Sequence, residues 1–185
     1  MQKDVDYFKK KSCKYLPKKI TYLFIAECPP NNKENYFYYT GIKKGNYMFF
    51  QNVMLAIYGV NYKGDQKQKI ILLKKFKSDG YFLIDSVEYP FKKDVLSNNK
   101  KAIIIDEFKN LISRINSYNK QDIIDKCTKL VLMKNLVCEA LQERMNKNNE
   151  IIFDRTLGVF CVSFPRQRYS DQLFIQKLRQ ILNMK

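Results

Sequence analysis

Residues 20–26 read ITYLFIA, a continuous apolar run of β-branched, aromatic and aliphatic side chains. Such a run is typical of a parallel strand that is buried on both faces of a sheet. It ends at ECPP, residues 27–30, where paired prolines remove backbone donors and favour an extended turn. We therefore place the first strand of an α/β domain at residues 20–26.

Three more apolar runs predict strands further along the chain: YFLIDSV at 81–87, LVLM at 130–133 and GVFCVS at 158–163. The segments between and around them predict helices at 48–58, 65–80, 104–115, 135–146 and from about 170. Strands that alternate with helices of this length need right-handed crossovers. The predicted fold class is α/β, a three-layer α/β/α arrangement with a central, mainly parallel four-stranded sheet.

The sequence also predicts local details of the helices. Asp65 is a candidate N-cap, and residues 104–115 are expected to form one long amphipathic helix after a polar connection at 92–101. A short helical stretch is expected at 121–127. In the last helix, Leu173 is expected to be buried together with its neighbours on the inward face.

The composition predicts a folded domain with a polyanionic partner. The chain has 185 residues, with 34 Lys and Arg against 18 Asp and Glu, which gives a net charge of +16. This excess is well matched to nucleic acid; the alternative is that Lys is simply the favoured surface residue of this chain. We expect one domain over 20–185, preceded by a basic segment, 1–19, that is either a frayed tail or a helix lying on the sheet.

The residue types that are missing exclude several kinds of site. The chain has no His, which excludes Ser-His-Asp catalysis, Cys-His catalysis and metal sites that need imidazole. Its five Cys include no C-x-x-C pair, and neither G-x-x-x-x-G-K-[ST] nor G-x-G-x-x-G is present. We expect no metal, no cofactor, and a monomer with free thiols in the cytoplasm. No apolar run approaches the ~20 residues of a membrane span, so we expect no membrane association.

The candidate site lies in the loops that follow the strands, because parallel sheets bind ligands at the carboxyl ends of their strands. Glu27 and Asp85 each stand near the end of a buried strand, where a carboxylate needs hydrogen-bond donors or a functional use. The alternative for each is to cap a helix or to pair with a Lys. The same loops contain cations that could neutralise phosphate: Lys43, Lys44, Lys92, Lys93, Arg166 and Arg168.

Aromatic side chains accompany these charges at residues 36–39, which read YFYY. In an extended strand, alternate side chains point to opposite sides, so all four rings cannot face inward. We expect two of them to line a pocket or to form a platform on which unpaired bases stack. The alternative is that the rings only close the loop over the core.

The order of these short motifs resembles the uracil-DNA glycosylase superfamily, over roughly residues 20–182. AECPP at 26–30 stands where that superfamily has a G-Q-D-P-Y, G-E-A-P-G or G-x-N-P-G motif. DSVEYP at 85–90 matches the strand end whose Asn reads the flipped base, and SFPR at 163–166 matches its H-P-S-like motif. The resemblance implies a DNA-repair hydrolase that binds DNA and flips a base, with Phe37, Asp85 and Phe164 contacting that base.

Two departures from the family pattern change the implied chemistry. Cys28 replaces the water-activating Asp or Asn, and Phe164 replaces a His whose contact to the developing anion is of a type worth ~3 to 4 kcal/mol of barrier. The resemblance leaves Glu27 as the carboxylate that orients water, with Cys28 as a less favoured nucleophile. Asp85 lacks the amide donor of Asn, so its ionised form would prefer base edges that offer donors, such as the amino groups of cytosine or adenine.

Three functions remain open from the residues alone. The first is hydrolysis of the N-glycosidic bond of a damaged or modified base in DNA, with altered specificity. The second is a non-catalytic nucleic-acid-binding protein on the same fold. The third is an enzyme that acts on a nucleotide or nucleoside in the same crevice, and its binding would depend less steeply on salt than that of a protein touching several phosphates.

Overall fold

Four parallel strands form the centre of the protein in the computed structural model, which describes residues 2–41, 48–148, 158–162 and 169–183. β1 (Tyr22–Ala26) pairs with both β2 (Tyr81–Asp85) and β3 (Lys129–Met133), and β3 pairs with β4 (Val159–Val162). The strand order is β2-β1-β3-β4. The three-layer α/β/α fold with a four-stranded parallel sheet is therefore confirmed, and every pairing is parallel.

Seven α-helices occur in the described part of the chain. They are α1 (Gln2–Cys13), α2 (Met48–Tyr58), α3 (Gln66–Ser78), α4 (Ser97–Asp106), α5 (Phe108–Lys120), α6 (Asn135–Asn148) and α7 (Tyr169–Ile181). α3 packs against β2, α6 against β3, and α7 against β4. Within the basic segment 1–19, α1 places Phe8 in the core, where its ring lies 4.7 Å from that of Tyr36.

The apolar run that predicts the first strand is buried from Tyr22 to Ala26, whereas Thr21 is exposed. All five residues of β1 are buried, and Phe24 packs against the rings of Phe76 and Tyr81 at centroid distances of 5.6 and 6.0 Å. β2 is buried in the same way. Strands covered by helices on both faces need apolar side chains in both directions, which is why these segments show no alternation.

The ends of α3 follow from local chemistry. Asp65 is its N-cap and accepts a hydrogen bond from the backbone N–H of Gln68 at 2.5 Å, as predicted. The turn into β2 places Gly80 at φ +78, where a Cβ atom would lie 2.6 Å from the Thr21 hydroxyl oxygen. A side chain at position 80 would therefore be strained and would clash with the start of β1.

The prediction of one long helix over 104–115 was wrong. Two helices, α4 and α5, meet at Glu107, and α4 begins at Ser97 within the segment predicted as a polar connection. The side chain of Glu107 accepts hydrogen bonds from the Tyr89 hydroxyl at 3.1 Å and from the Asn110 amide. Ile104 of α4 and Phe108, Leu111 and Ile115 of α5 are all buried, so the predicted apolar face continues across the junction although the helix does not.

The helical stretch predicted at 121–127 is also wrong, because the chain turns there. Asp122 has φ +56, a backbone conformation that ends a helix. The Asp125 carboxylate then accepts from the backbone N–H of Cys127 at 2.8 Å, and the Thr128 hydroxyl donates to the carbonyl of Ile20 at 2.7 Å. These side-chain hydrogen bonds to backbone groups hold a turn that leads directly into β3.

Leu173 is another correction, since it is 66% exposed rather than buried. In α7 the buried face is formed by Phe174 and Leu178, with Leu182 just beyond the helix, at a spacing of four residues. Leu173 precedes Phe174 by one position, which places it about 100° around the helix and away from that face. An apolar residue next to a buried stripe need not belong to it.

The aromatic segment at 36–39 covers the outer edge of β2. Tyr36, Phe37 and Tyr38 are all buried, contrary to the expectation for an extended strand, because the segment turns after the short 3-10 helix Lys33–Asn35. The Tyr38 hydroxyl donates to the Leu83 carbonyl at 3.1 Å and accepts from the Leu83 N–H at 2.8 Å. One side chain thus satisfies both backbone groups of Leu83 at the edge of the sheet.

Replacing Tyr38 by Phe should lower the free energy of unfolding by about 1 to 3 kcal/mol, because it leaves the buried N–H of Leu83 without its acceptor. Urea denaturation measures this loss. Tyr15→Phe is the control: its ring stacks on that of Tyr38, but its hydroxyl makes no hydrogen bond to β2. An equal loss in both variants would contradict the role given to the Tyr38 hydroxyl.

Candidate functional site

A cavity of about 460 Å³ opens at the carboxyl ends of three neighbouring strands. Glu27 and Cys28 follow β1, Asp85 ends β2, and Lys134 follows β3, and all four residues line the cavity. The place is the one where the ends of parallel strands are expected to form a ligand site. The volume lies within the range of small-ligand pockets, about 300 to 1,000 Å³.

The structure brings six of the predicted site residues together in this cavity: Glu27, Cys28, Phe37, Asp85, Lys92 and Lys93. The other five predicted residues lie outside the described part of the chain: Lys43, Lys44, Phe164, Arg166 and Arg168. The predicted carboxylates, Glu27 and Asp85, therefore line the same cavity as two of the predicted cations, Lys92 and Lys93.

Asp85 is the most deeply buried of the cavity carboxylates, with 8% of its surface exposed. Burial raises its pKa to about 7, against the opposing effect of the positive charges of Arg114 and Lys134. Glu27 and Glu88 act in the same direction as burial. At neutral pH the Asp85 carboxyl therefore exists in both its protonated and its ionised form, and it can donate or accept a hydrogen bond.

Glu27 forms an ion pair with the Lys134 ammonium inside the cavity. The Glu27 side chain is only 12% exposed, so the pair is partly shielded from water. Lys134 has φ +91, a conformation that costs a residue with a Cβ about 1 to 3 kcal/mol. Its backbone N–H donates to the Val162 carbonyl at 2.7 Å, which links the end of β3 to β4 and holds the residue in this position.

The sequence places Lys134 in the loop after the third predicted strand, among the loops of the candidate site, but it suggests no role for this residue. Lys134 follows β3 directly, as Glu27 follows β1, and the carboxyl ends of adjacent parallel strands share one edge. Lys69 and Lys100 also line the cavity but were not predicted as site residues, since they lie within α3 and α4. Their contribution depends on how those helices pack on the sheet.

Cys28 lies next to the acid pair, in a position that disfavours a nucleophilic role. Burial raises the pKa of its thiol to about 12, and the negative charges of Asp85 and Glu27 act in the same direction. At neutral pH the group is a neutral thiol, whereas the thiolate is the nucleophile in cysteine chemistry. The structure therefore places Cys28 in the cavity wall.

Aromatic rings also line the cavity. Tyr36 and Phe37 both line the cavity, in agreement with the expectation that two rings of the segment form a pocket wall. Phe37 is only 3% exposed, and its ring contacts those of Tyr38, Phe50 and Phe76 at 5.0 to 5.4 Å. The ring is thus held rigidly by its neighbours and offers the cavity a small, fixed apolar surface.

The charge of the cavity favours an anionic ligand. Five lysines line it, Lys69, Lys92, Lys93, Lys100 and Lys134, against three carboxylates, Glu27, Glu34 and Asp85. Lys69 is buried, with its ammonium 4.6 Å from the centre of the Phe50 ring and 3.5 Å from the Tyr36 carbonyl. Lys92 and Lys93 are exposed at the mouth, where their charges are available to a ligand.

The part of the chain that the structure describes contains neither a candidate metal site nor a helix suited to cross a membrane. Over those residues, no group of three or more carboxylates and thiols is arranged to bind a metal ion. None of the described helices combines the length and the apolar character that a membrane crossing requires.

Comparison with known proteins provides no relative for this site. No protein-family model matches the chain, and searches of curated proteins and of solved structures returned no match. The assignment of a function therefore depends on the geometry and the charges of the cavity.

Proposed function

We propose that this chain binds DNA, takes a flipped base into the cavity at the strand ends, and hydrolyses the N-glycosidic bond of that base, as in the uracil-DNA glycosylase superfamily that its motifs resemble. The observation that supports this proposal most is the meeting of the buried Asp85, the partly buried Glu27 and five lysines in one cavity of about 460 Å³. Such a cavity offers polar groups for a base and positive charge for the phosphates beside it.

In this proposal the groups of the cavity have separate tasks. Lys92 and Lys93 at the mouth bind the phosphates on either side of the flipped nucleotide. Asp85 forms hydrogen bonds to the edge of the base, and Phe37 contributes an apolar contact to its ring. Glu27 orients the attacking water and stabilises the positive charge that develops on the sugar as the base departs. Lys134 holds the Glu27 side chain in place.

A second function, binding of nucleic acid without hydrolysis, is favoured by the ion pair of Glu27. The Lys134 ammonium already occupies one oxygen of the carboxylate, which reduces its capacity to accept a proton from water. A protein of this kind would keep the groove and the flipped-base pocket but would leave the glycosidic bond intact. Release of a base from an oligonucleotide distinguishes the two functions.

The phosphate contacts are tested by the salt dependence of DNA binding. Each phosphate contact contributes about −0.7 to −0.9 to the slope of log affinity against log salt concentration. The double variant Lys92→Ala and Lys93→Ala should therefore reduce this slope by up to about two units. Fluorescence anisotropy with a labelled single-stranded oligonucleotide at several salt concentrations measures it.

The matched control is the double variant Lys109→Ala and Lys120→Ala, which removes two exposed lysines of α5 that do not line the cavity. It should leave the slope unchanged. If the two double variants behave alike, the DNA does not cross the mouth of this cavity. If the wild type shows a flat response to salt, the ligand is a small molecule and the proposal is wrong.

A further inference from the structure

We propose that Asp85 gives the cavity a preference for guanine-type base edges, which offer two adjacent hydrogen-bond donors, and that this preference is lost when its carboxyl is protonated. The inference rests on the proposed function, because it requires that the cavity accept a base. It names the class of base that the cavity selects and the residue that determines the selection.

The position of Asp85 suits this role. It is the last residue of β2, in register with Ala26 of β1, so the sheet fixes its backbone beside Glu27. It lines the main cavity and also a second cavity of about 270 Å³ on the side of α1 and α5. Asp85 therefore lies between the two cavities, as a residue that a ligand edge in the main cavity can approach.

Charged and titratable groups from every neighbouring element face this carboxyl. Burial raises its pKa most, Arg114 of α5 and Lys134 after β3 lower it, and Glu27 after β1 and Glu88 after β2 raise it. The Tyr36 and Tyr38 hydroxyls and the Cys28 thiol also lie close enough to interact with its charge. With a pKa of about 7, the carboxyl changes its protonation state within the range where nucleotides remain intact.

Arg114 is the fixed cation of this group. Its guanidinium donates to the Ser86 carbonyl at 3.0 Å and lies 3.9 Å from the Glu88 carboxylate. These contacts hold the positive charge behind Asp85, on the side of the second cavity. Arg114 acts on the ligand only through Asp85 and is therefore a positioning residue.

The two protonation states of Asp85 fit different base edges. An ionised carboxylate only accepts hydrogen bonds, so its best partner is a pair of adjacent donors, such as N1–H and the 2-amino group of guanine. Cytosine and adenine, whose amino groups are the partners expected from sequence, present one donor beside an acceptor. That acceptor repels the second carboxylate oxygen, so guanine is the better partner. A protonated carboxyl donates once and accepts once, so it fits O6 and N1–H, which guanine shares with hypoxanthine.

Guanine and hypoxanthine form a matched pair of probes because they differ only by the 2-amino group. Deoxyguanosine and deoxyinosine monophosphates carry the same phosphate, sugar and O6, so every contact except that of the 2-amino group cancels in the ratio of their affinities. We expect this ratio to be near one at about pH 5.5 and to rise to about tenfold in favour of guanine at about pH 8. Isothermal titration calorimetry measures both affinities.

Asp85→Asn is the decisive variant because its amide always presents one donor and one acceptor. Its affinity ratio should stay near one at both pH values. Arg114→Gln provides a second, independent readout: loss of the guanidinium charge raises the pKa of Asp85 further, so the rise of the ratio should move to higher pH. This variant keeps Asp85 itself and does not depend on whether Asp85→Asn folds.

A ratio that does not change with pH in the wild type would overturn the inference, and so would an unchanged pH dependence in Asp85→Asn. Suppose that neither nucleotide binds, but that replacing Lys92 and Lys93 still reduces the salt dependence of DNA binding. The cavity then does not accept a purine. That result refutes the inference alone. If, in addition, DNA binding by the wild type does not depend on salt concentration, the proposed function is refuted too.

Discussion

Replacing Glu27 by Gln should slow the release of a base from DNA by roughly 100- to 1,000-fold, the effect that loss of one preorganised electrostatic contact to a transition state commonly has. The amide keeps the size of the side chain but removes the negative charge that opposes the growing positive charge of the sugar. Affinity for DNA should be retained or increased, because Lys134 is then released from its carboxylate partner.

Single-turnover kinetics measure this rate on oligonucleotides that contain uracil, hypoxanthine, xanthine or an alkylated base, with alkaline cleavage of the abasic strand as the readout. Glu34→Gln is the control, since Glu34 also lines the cavity but is exposed in the 3-10 helix Lys33–Asn35. If the wild type binds these oligonucleotides and leaves every base in place, hydrolysis is ruled out and binding without catalysis remains.

Replacing Phe24 by Ala should lower the free energy of unfolding by about 3 to 5 kcal/mol. Phe24 lies at the middle of β1, is fully buried, and packs against Phe76 on one helix and Tyr81 on the neighbouring strand. The truncated side chain leaves a cavity that two strands and a helix cannot close by a small shift, because β1 is paired on both sides. Urea denaturation followed by circular dichroism measures the loss.

Leu173→Ala is the corresponding control, because this residue is apolar yet exposed. Its substitution should change the free energy of unfolding by less than about 0.5 kcal/mol. A loss of several kcal/mol in Leu173→Ala would mean that α7 buries a face different from the one formed by Phe174 and Leu178.

The sheet could be predicted from sequence because a strand that is buried on both faces requires a continuous run of apolar residues. ITYLFIA contains no polar position after Thr21, and the structure buries all of its residues from Tyr22 onward. The break at Glu107 could not be predicted, since it depends on hydrogen bonds from Tyr89 and Asn110 rather than on a local helix-breaking residue. The exposure of Leu173 likewise depends on which side of α7 faces the sheet.

Some residues of the candidate site could likewise be predicted from sequence, and others could not. Glu27 and Asp85 were predicted because a carboxylate that follows a buried strand is unusual, and the structure places both in one cavity. Lys69 was missed because it lies within a helix, where a Lys is ordinarily exposed, whereas here it is buried against the Phe50 ring. The turn that buries Tyr36, Phe37 and Tyr38 together follows the short 3-10 helix Lys33–Asn35. The spacing of apolar residues in the sequence does not predict this helix.

The order of the strands also has a consequence for how the chain reaches its folded state. β1 lies inside the sheet, and its partner on one side is β3, with Tyr22 and Lys129 paired across 107 residues. Contacts between such distant segments form slowly, because a long loop must close before they are gained. On the ribosome, β1 remains an apolar strand with one open side until Lys129 and the residues after it have been made. Newly synthesised chains should therefore depend on chaperones during that interval.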